Sequence, residues 1–221
     1  MPDKMHDKQP PDNGRLRLLI ADDKTETRRS TRLMLTLIPN VEVVALAENG
    51  QQAIELARKH QPDIALMDVN MPGMDGLEAI AAMRRQQPAL VCVVISAEQQ
   101  RSTFTEAMAV GAQGYITKPF TSDQLLETIT RVGKIVRENR QKTAVAAHIQ
   151  RERDILLRQL AHEYMQAQRL DDRARIIYER LAQDKACDRR ILISLAMIYV
   201  TQQEWPKLKQ LITRLEQPKV A

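Results

Sequence analysis

A doubly wound α/β domain followed by a second, all-helical domain is the fold class this 221-residue sequence predicts, and three observations predict it. Five short apolar runs alternate with longer amphipathic segments between Leu16 and about Gly133. Those runs show almost no polar alternation, as expected of strands covered by helices on both faces of a parallel sheet. From Gln124 to Gln150 nothing but Gly133 interrupts a helical pattern, and helix-like segments continue to the end of the chain.

Taken in order, residues 1–15 are polar, contain Pro2, Pro10, Pro11 and Gly14, and read as a mobile arm. Strand-like and helix-like segments then alternate: Leu16–Ala21, Thr25–Leu37, Val41–Ala45, Gln51–His60, Ile64–Met67, Leu77–Arg85, Leu90–Ile95, Gln99–Val110 and Gly114–Thr117. Pro39, Pro62 and Pro88 each fall between a helix and the next strand, where a missing backbone donor does least harm. Ser122-Asp123 can cap the helix that follows, whose Leu125, Leu126, Ile129, Val132, Ile135 and Val136 recur at helical spacing. The domain boundaries expected are a 1–15 arm, a 16–133 α/β domain, a 134–150 helical connector and a 151–221 helical domain.

Charge is unevenly spread: residues 1–133 carry 15 Lys/Arg and 17 Asp/Glu, whereas residues 134–221 carry 18 and 11. The basic half permits contact with an acidic partner, nucleic acid included, although an arginine-rich helix surface is the plainer reading. Cys92 and Cys187 have no metal-like spacing and read as ordinary thiols. No run reaches the roughly 20 apolar residues of a membrane span, and the start lacks the apolar core of a signal peptide, so a cytoplasmic protein without membrane insertion is expected.

Three strand ends carry the chemistry. Asp22-Asp23 closes the first apolar run, Asp68 the third, and Lys118-Pro119 the fifth. Open α/β sheets place ligands at such carboxyl ends. Three carboxylates and one lysine there make a compact site for Mg²⁺ and a phosphoryl group.

Those residues, within Met67-Asp68-Val69-Asn70-Met71-Pro72-Gly73-Met74-Asp75-Gly76 and Lys118-Pro119-Phe120, resemble the receiver domain of two-component response regulators from about Leu16 to Gly133. The resemblance implies a flavodoxin-like fold in which Asp68 accepts a phosphoryl group from a sensor histidine kinase. It implies Mg²⁺ as cofactor, held by Asp23, Asp68, the backbone carbonyl of Asn70 and waters, one of them positioned by Asp22. Lys118 would stabilise the charge of the transferring group. Ser96 and Tyr115 fit the family's switch pair, Ser96 moving toward the phosphoryl group and Tyr115 turning inward. Without that role Ser96 is a capping residue and Tyr115 a boundary aromatic. Such a protein accelerates its own phosphorylation and dephosphorylation without being a metabolic enzyme.

The C-terminal region shows an internal correspondence: Leu160-Ala161-His162-Glu163-Tyr164 recurs as Leu195-Ala196-Met197-Ile198-Tyr199, displaced by 35 residues. A two-helix unit at that spacing resembles the tetratricopeptide repeat, with a generic helical bundle as the alternative. On this reading the output is a downstream protein bound by the helical module, within a homodimer. DNA ranks second. Arg151-Glu152-Arg153-Asp154-Ile155-Leu156 resembles the opening of a helix-turn-helix output domain, but Asp171-Asp172 place two acids near the expected turn. A metal-dependent phosphatase of unrelated substrates ranks third, since no substrate-pocket element accompanies the acids.

Overall fold

The computed structural model describes residues 14–98, 101–184 and 187–216. The expected arm, apart from Gly14 and Arg15, and the Gln99-Gln100 pair lie outside the described residues. The chain divides into two compact units after Lys142.

In the first unit β1 (Leu16–Ala21), β2 (Val41–Ala47), β3 (Ile64–Asp68), β4 (Val91–Ser96) and β5 (Gly114–Thr117) form a five-stranded sheet of order β2-β1-β3-β4-β5. Every pairing is parallel. The connecting helices are α1 (Thr25–Thr36), α2 (Gly50–His60), α3 (Gly76–Gln86) and α4 (Arg101–Ala109). Alternate strand residues point to opposite faces, and both faces are buried. On one face Leu19, Ala65, Met67, Cys92 and Val94 pack with Ala53, Ala57, Ala79, Ile80, Met83 and Ala107 of α2, α3 and α4. On the other, Leu18, Ile20, Ile64, Leu66, Val91, Val93 and Ile95 meet Leu35 of α1 and Leu125, Ile129, Val132 and Val136 of the fifth helix. The unbroken apolar strands of the sequence are thus explained by a two-sided core.

That fifth helix, α5, runs from Ser122 to Gln166, well past the expected connector. Its start is capped one residue earlier than Ser122-Asp123 suggested. Thr121 Oγ1 accepts from Gln124 N at 3.3 Å while Gln124 Oε1 accepts from Thr121 N at 2.9 Å, a reciprocal capping box. Gly133 has a packing reason: a Cβ there would stand 2.8 Å from Leu16 Cδ1 of β1.

The second unit contains the end of α5 and three further helices, α6 (Asp172–Ala182), α7 (Arg189–Thr201) and α8 (Trp205–Glu216). Ala161, Ala174, Ile177, Tyr178, Leu181, Ile191, Leu195, Ile198 and Leu211 form its core. Asp171 and Asp188 cap α6 and α7 through the backbone N–H groups of Ala174 and Arg190. The displaced Leu-Ala-x-x-Tyr segments share a helix ending: Gln168 and Gln203 are left-handed, and Tyr164 O and Tyr199 O accept from Arg169 N and Glu204 N, each at 2.9 Å. This likeness of two helix ends does not make a repeat fold. Two helix pairs are fewer than a stable repeat stack requires, and three helices beyond α5 form one small bundle core.

Cys92 is wholly buried in β4, and burial pushes its thiol up to about 12, against the opposing charge of Arg84. Since the thiolate is the nucleophile, only roughly one part in 10⁴ is reactive at pH 8. Iodoacetamide at that pH is expected to spare Cys92 in the folded protein and to modify it fully in urea, as peptide mass mapping will show.

Candidate functional site

Sheet register alone brings the first two acids together. Ala21 of β1 pairs with Met67 of β3, so Asp22 and Asp68 occupy the next positions at the ends of adjacent strands. These are the strands at which the winding direction reverses, where a doubly wound sheet opens a crevice. Lys118 follows β5, its N–H donating to Ser96 O at 2.7 Å, and its side chain reaches across the end of β4. Lys118 Nζ donates to Asp22 Oδ2 and to Asp68 Oδ2, both at 2.7 Å. Asp22 and Asp68 are buried, and Asp23 is exposed.

Among the described residues, Asp22, Asp23 and Asp68 are the His, Cys, Asp or Glu side chains grouped closely enough to hold a metal ion, one carboxylate oxygen of each lying within 4.8 Å of the others. Burial pushes the Asp68 carboxyl above its usual range, while the hydrogen bond and charge of Lys118 pull it down and Asp22 and Asp23 push it up further. Burial acts to lower the Lys118 ammonium, but its hydrogen bonds to Asp22 and Asp68 outweigh this and the net direction is upward. The carboxylates of Asp22 and Asp68 thus share the Lys118 cation, which holds its proton firmly.

Two residues that the sequence did not single out complete the surroundings. Arg28 of α1 is buried, donating to Asp22 O at 2.6 Å, Glu48 Oε1 at 2.7 Å and Thr25 Oγ1 at 3.1 Å. It ties the loop bearing Asp22 and Asp23 to the end of β2. Glu98, two residues past β4, accepts from Asn70 Nδ2 at 3.3 Å and from Thr103 Oγ1 of α4. Those two hydrogen bonds hold its carboxyl below the usual range, Thr103 contributing most. A lone arginine in an amphipathic helix and a lone glutamate in a loop carry no spacing signal, so neither could be read from the chain.

Ser96 and Tyr115 both act on the backbone of Glu98. Ser96 is fully buried and its Oγ accepts from Glu98 N at 3.0 Å; the Tyr115 hydroxyl donates to Glu98 O at 2.7 Å. The Tyr115 ring meets Phe104 of α4 edge-on, centroids 5.6 Å apart. Asn70 is exposed beyond β3. Of the seven residues expected at the site, Asp22, Asp23, Asp68, Asn70, Ser96 and Lys118 lie at or beside the carboxyl ends of β1, β3, β4 and β5, while Tyr115 is the second residue of β5 and reaches the loop after β4 by its hydroxyl. Met71, beside them in sequence, packs into the core.

Residues 18–130 match the family model described as the response regulator receiver domain. The chain belongs to the receiver-domain family of two-component signal transduction. Chemotaxis protein CheY of Listeria monocytogenes is 38% identical over 125 residues, which are 54% of this chain and 99% of that protein. Transcriptional regulatory protein DegU of Brevibacillus brevis is 34% identical over 121 residues, and the chain spans only 51% of its length. Nitrate/nitrite response regulator protein NarL of Escherichia coli K12 is 29% identical over 204 residues, 90% of this chain and 91% of that one. Among solved structures, the receiver domain of a putative response regulator NarL from Mycobacterium tuberculosis has a TM-score of 0.52 at 32% identity, covering 54% of this chain and 97% of that one. A DNA-binding response regulator of the LuxR family from Staphylococcus aureus has a TM-score of 0.51 at 27% identity, covering 53% and 98%.

Two expectations are corrected by these likenesses. The tetratricopeptide-like module is set aside, because the alignment with NarL continues through the helical region that was to contain it. The ranking of DNA below a downstream protein partner is reversed, because the relatives include a transcriptional regulatory protein and a DNA-binding response regulator, and the one aligned along 90% of this chain is the response regulator NarL. The acids that argued against DNA have a local explanation, since Asp171 is the cap of α6. Among the described residues no helix is long and apolar enough to cross a membrane.

Gly76 sets how closely α3 approaches the site. A Cβ there would stand 1.9 Å from the backbone oxygen of Asp68, and Gly76 N already donates to Val69 O at 2.9 Å. Gly76→Ala must push the strand end apart, so a loss of about 3 kcal/mol in urea denaturation is expected, the upper part of the usual overpacking range.

Proposed function

We propose that the chain is a response regulator that accepts a phosphoryl group on Asp68 and thereby controls binding of duplex DNA by residues 143–221. The cluster of Asp22, Asp23 and Asp68 around Lys118 supports the first half. Three carboxylates against one ammonium leave an excess of two negative charges, matched to a divalent cation with hard oxygen ligands. Asp23, Asp68 and the carbonyl of Asn70 would hold Mg²⁺, with Asp22 ordering a water, and the ion would neutralise charge on the incoming phosphoryl group.

Asp68 Oδ1 is the nucleophile in this reading. It forms the new oxygen–phosphorus bond as the phosphorus–nitrogen bond of a kinase phosphohistidine breaks, and the electron pair leaves with the imidazole. Lys118 Nζ, already on Asp68 Oδ2, moves its second hydrogen bond from Asp22 to a phosphoryl oxygen. Ser96 then turns its hydroxyl to the phosphoryl group and releases Glu98 N–H. Because Tyr115 holds the carbonyl of that same Glu98, the change reaches β5 and α4 through one residue.

The NarL alignment over 90% of the chain carries the second half. It is supported by the basic balance of residues 134–221 and by the three-residue turn between α7 and α8. α8 exposes Lys209, Gln210 and Thr213, residue types suited to phosphate contact and base-edge hydrogen bonding. In a helix-turn-helix the second helix enters the major groove.

Acetyl phosphate and magnesium are expected to add one phosphoryl group, detected by intact mass, and Asp68→Asn to abolish it. Lys118→Ala should slow labelling about 100-fold, the scale of losing one preorganised donor to a transition state. Labelling of Asp68→Asn at another residue would reject the assignment. Selection from a random duplex library is expected to enrich a sequence for the phosphorylated full-length protein, with affinity falling as salt rises. No enrichment in either phosphorylation state would reject the DNA reading.

A further inference from the structure

α7 is apolar on both of its faces. From Ile191 to Gln203 the chain has no charged residue. Ile191, Leu192, Leu195, Ile198 and Tyr199 fill the core of the second unit. The opposite stripe, Ile193, Met197 and Val200, recurs at i, i+4 and i+7 and is 42%, 54% and 49% exposed. Trp205, which opens the next helix, is 57% exposed. The neighbouring helices are mixed: α6 turns Arg173 and Arg180 outward beside an exposed Ile176, and α8 turns Lys207 and Lys209 outward beside an exposed Ile212, so the stripe without outward charges is that of α7. A helix apolar all round belongs in an interior, so the outer stripe of α7 is half of an interface.

We infer that a second copy of this chain covers it, α7 packing antiparallel on α7 about a two-fold axis at the level of Ala196 and Met197. A two-fold contact sets each patch against itself, and a patch without charges meets no like-charge repulsion there. The sequence is self-complementary in that register. Ile193 of each copy faces Val200 of the other, and Met197, long and adaptable, lies on the small Ala196 of the second copy. At the margins, Arg189 and Arg190 at the helix start meet the negative end of the antiparallel helix dipole. Four apolar side chains about half exposed offer surface on the order of 400 Å², close to the apolar share of one side of an interface of about 800 Å². Such a pair would present two copies of α8 to DNA, but the inference stands on the stripe of α7 and the neighbouring Trp205 and not on the DNA reading.

The test uses unphosphorylated full-length protein in sedimentation equilibrium from micromolar concentration upward. The wild type is expected to be a dimer, and Met197→Leu to remain one. Met197→Glu places two carboxylates at the axis and is expected to weaken dimerisation at least about 100-fold. Met197 is exposed, so the variant should keep its circular dichroism and its phosphoryl labelling. Met197→Cys should form a disulfide between the two introduced thiols, one from each copy, on mild oxidation, mapped by peptide mass. A monomeric wild type, a Met197→Glu dimer of unchanged affinity, or no such crosslink would overturn the inference. Loss of dimerisation without loss of DNA binding would separate it from the proposed output.

Discussion

One ammonium group between two buried carboxylates is the constraint on which the receiver site depends. Asp22 and Asp68 are placed side by side by the register of β1 and β3, and Lys118 pairs with both, offsetting the cost of burying two like charges together. That lysine comes from the end of β5, which is separated from β3 by β4. The ion pairs therefore report the correct assembly of β1, β3, β4 and β5, since those strands must be in order before the charges meet. The same arrangement leaves an excess of negative charge, so the forces that complete the fold also leave a cluster of acids suited to a cation.

Glu98 is the second point on which much converges. Its amide is held by Ser96, its carbonyl by Tyr115, and its carboxylate by Asn70 and Thr103. The four partners come from β3, β4, α4 and β5 or the loops beside them, so one residue joins all of these elements. Ser96 and Tyr115, on different strands, are thereby coupled through a single residue. Arg28 has a parallel role on the other side, bonding the carbonyl of Asp22 and the carboxylate of Glu48. The acidic loop is thus anchored by its backbone, which leaves the carboxylate of Asp23 at the surface for a ligand.

The helical unit is organised by its helix ends. Gln168 and Gln203 adopt the left-handed conformation that closes a helix, and Arg169 lies over the Tyr164 ring at 4.3 Å while Lys207 lies over the Tyr199 ring at 5.6 Å. The Tyr199 hydroxyl donates to Glu179 at 3.0 Å, and burial pushes its own ionisation up to about 12. These contacts fix the turns that set α6 against α5 and α8 against α7. They also show how a local likeness between two segments arises without a repeat architecture: the same helix ending suits any tight reversal between packed helices.

Sequence alone determined the receiver fold, because five charge-poor strands between amphipathic helices have few ways to bury themselves, and because Asp22, Asp23, Asp68 and Lys118 each fall at a strand end. β1 and β5 have the bounds their apolar runs indicated, and most other elements differ by one or two residues. Tertiary structure decided what depends on neighbours distant in the chain. Arg28 and Glu98 became parts of the site only when α1 met β2 and β4 met α4. Thr121 took the cap of α5 that Ser122 could equally have supplied. In the second unit, apolar periodicity specified helices but not their assembly, since a helical pattern says which face is buried and not against what. Packing distinguished the inner face of α7 from its outer one, a difference invisible in a run of residues that is apolar on every side.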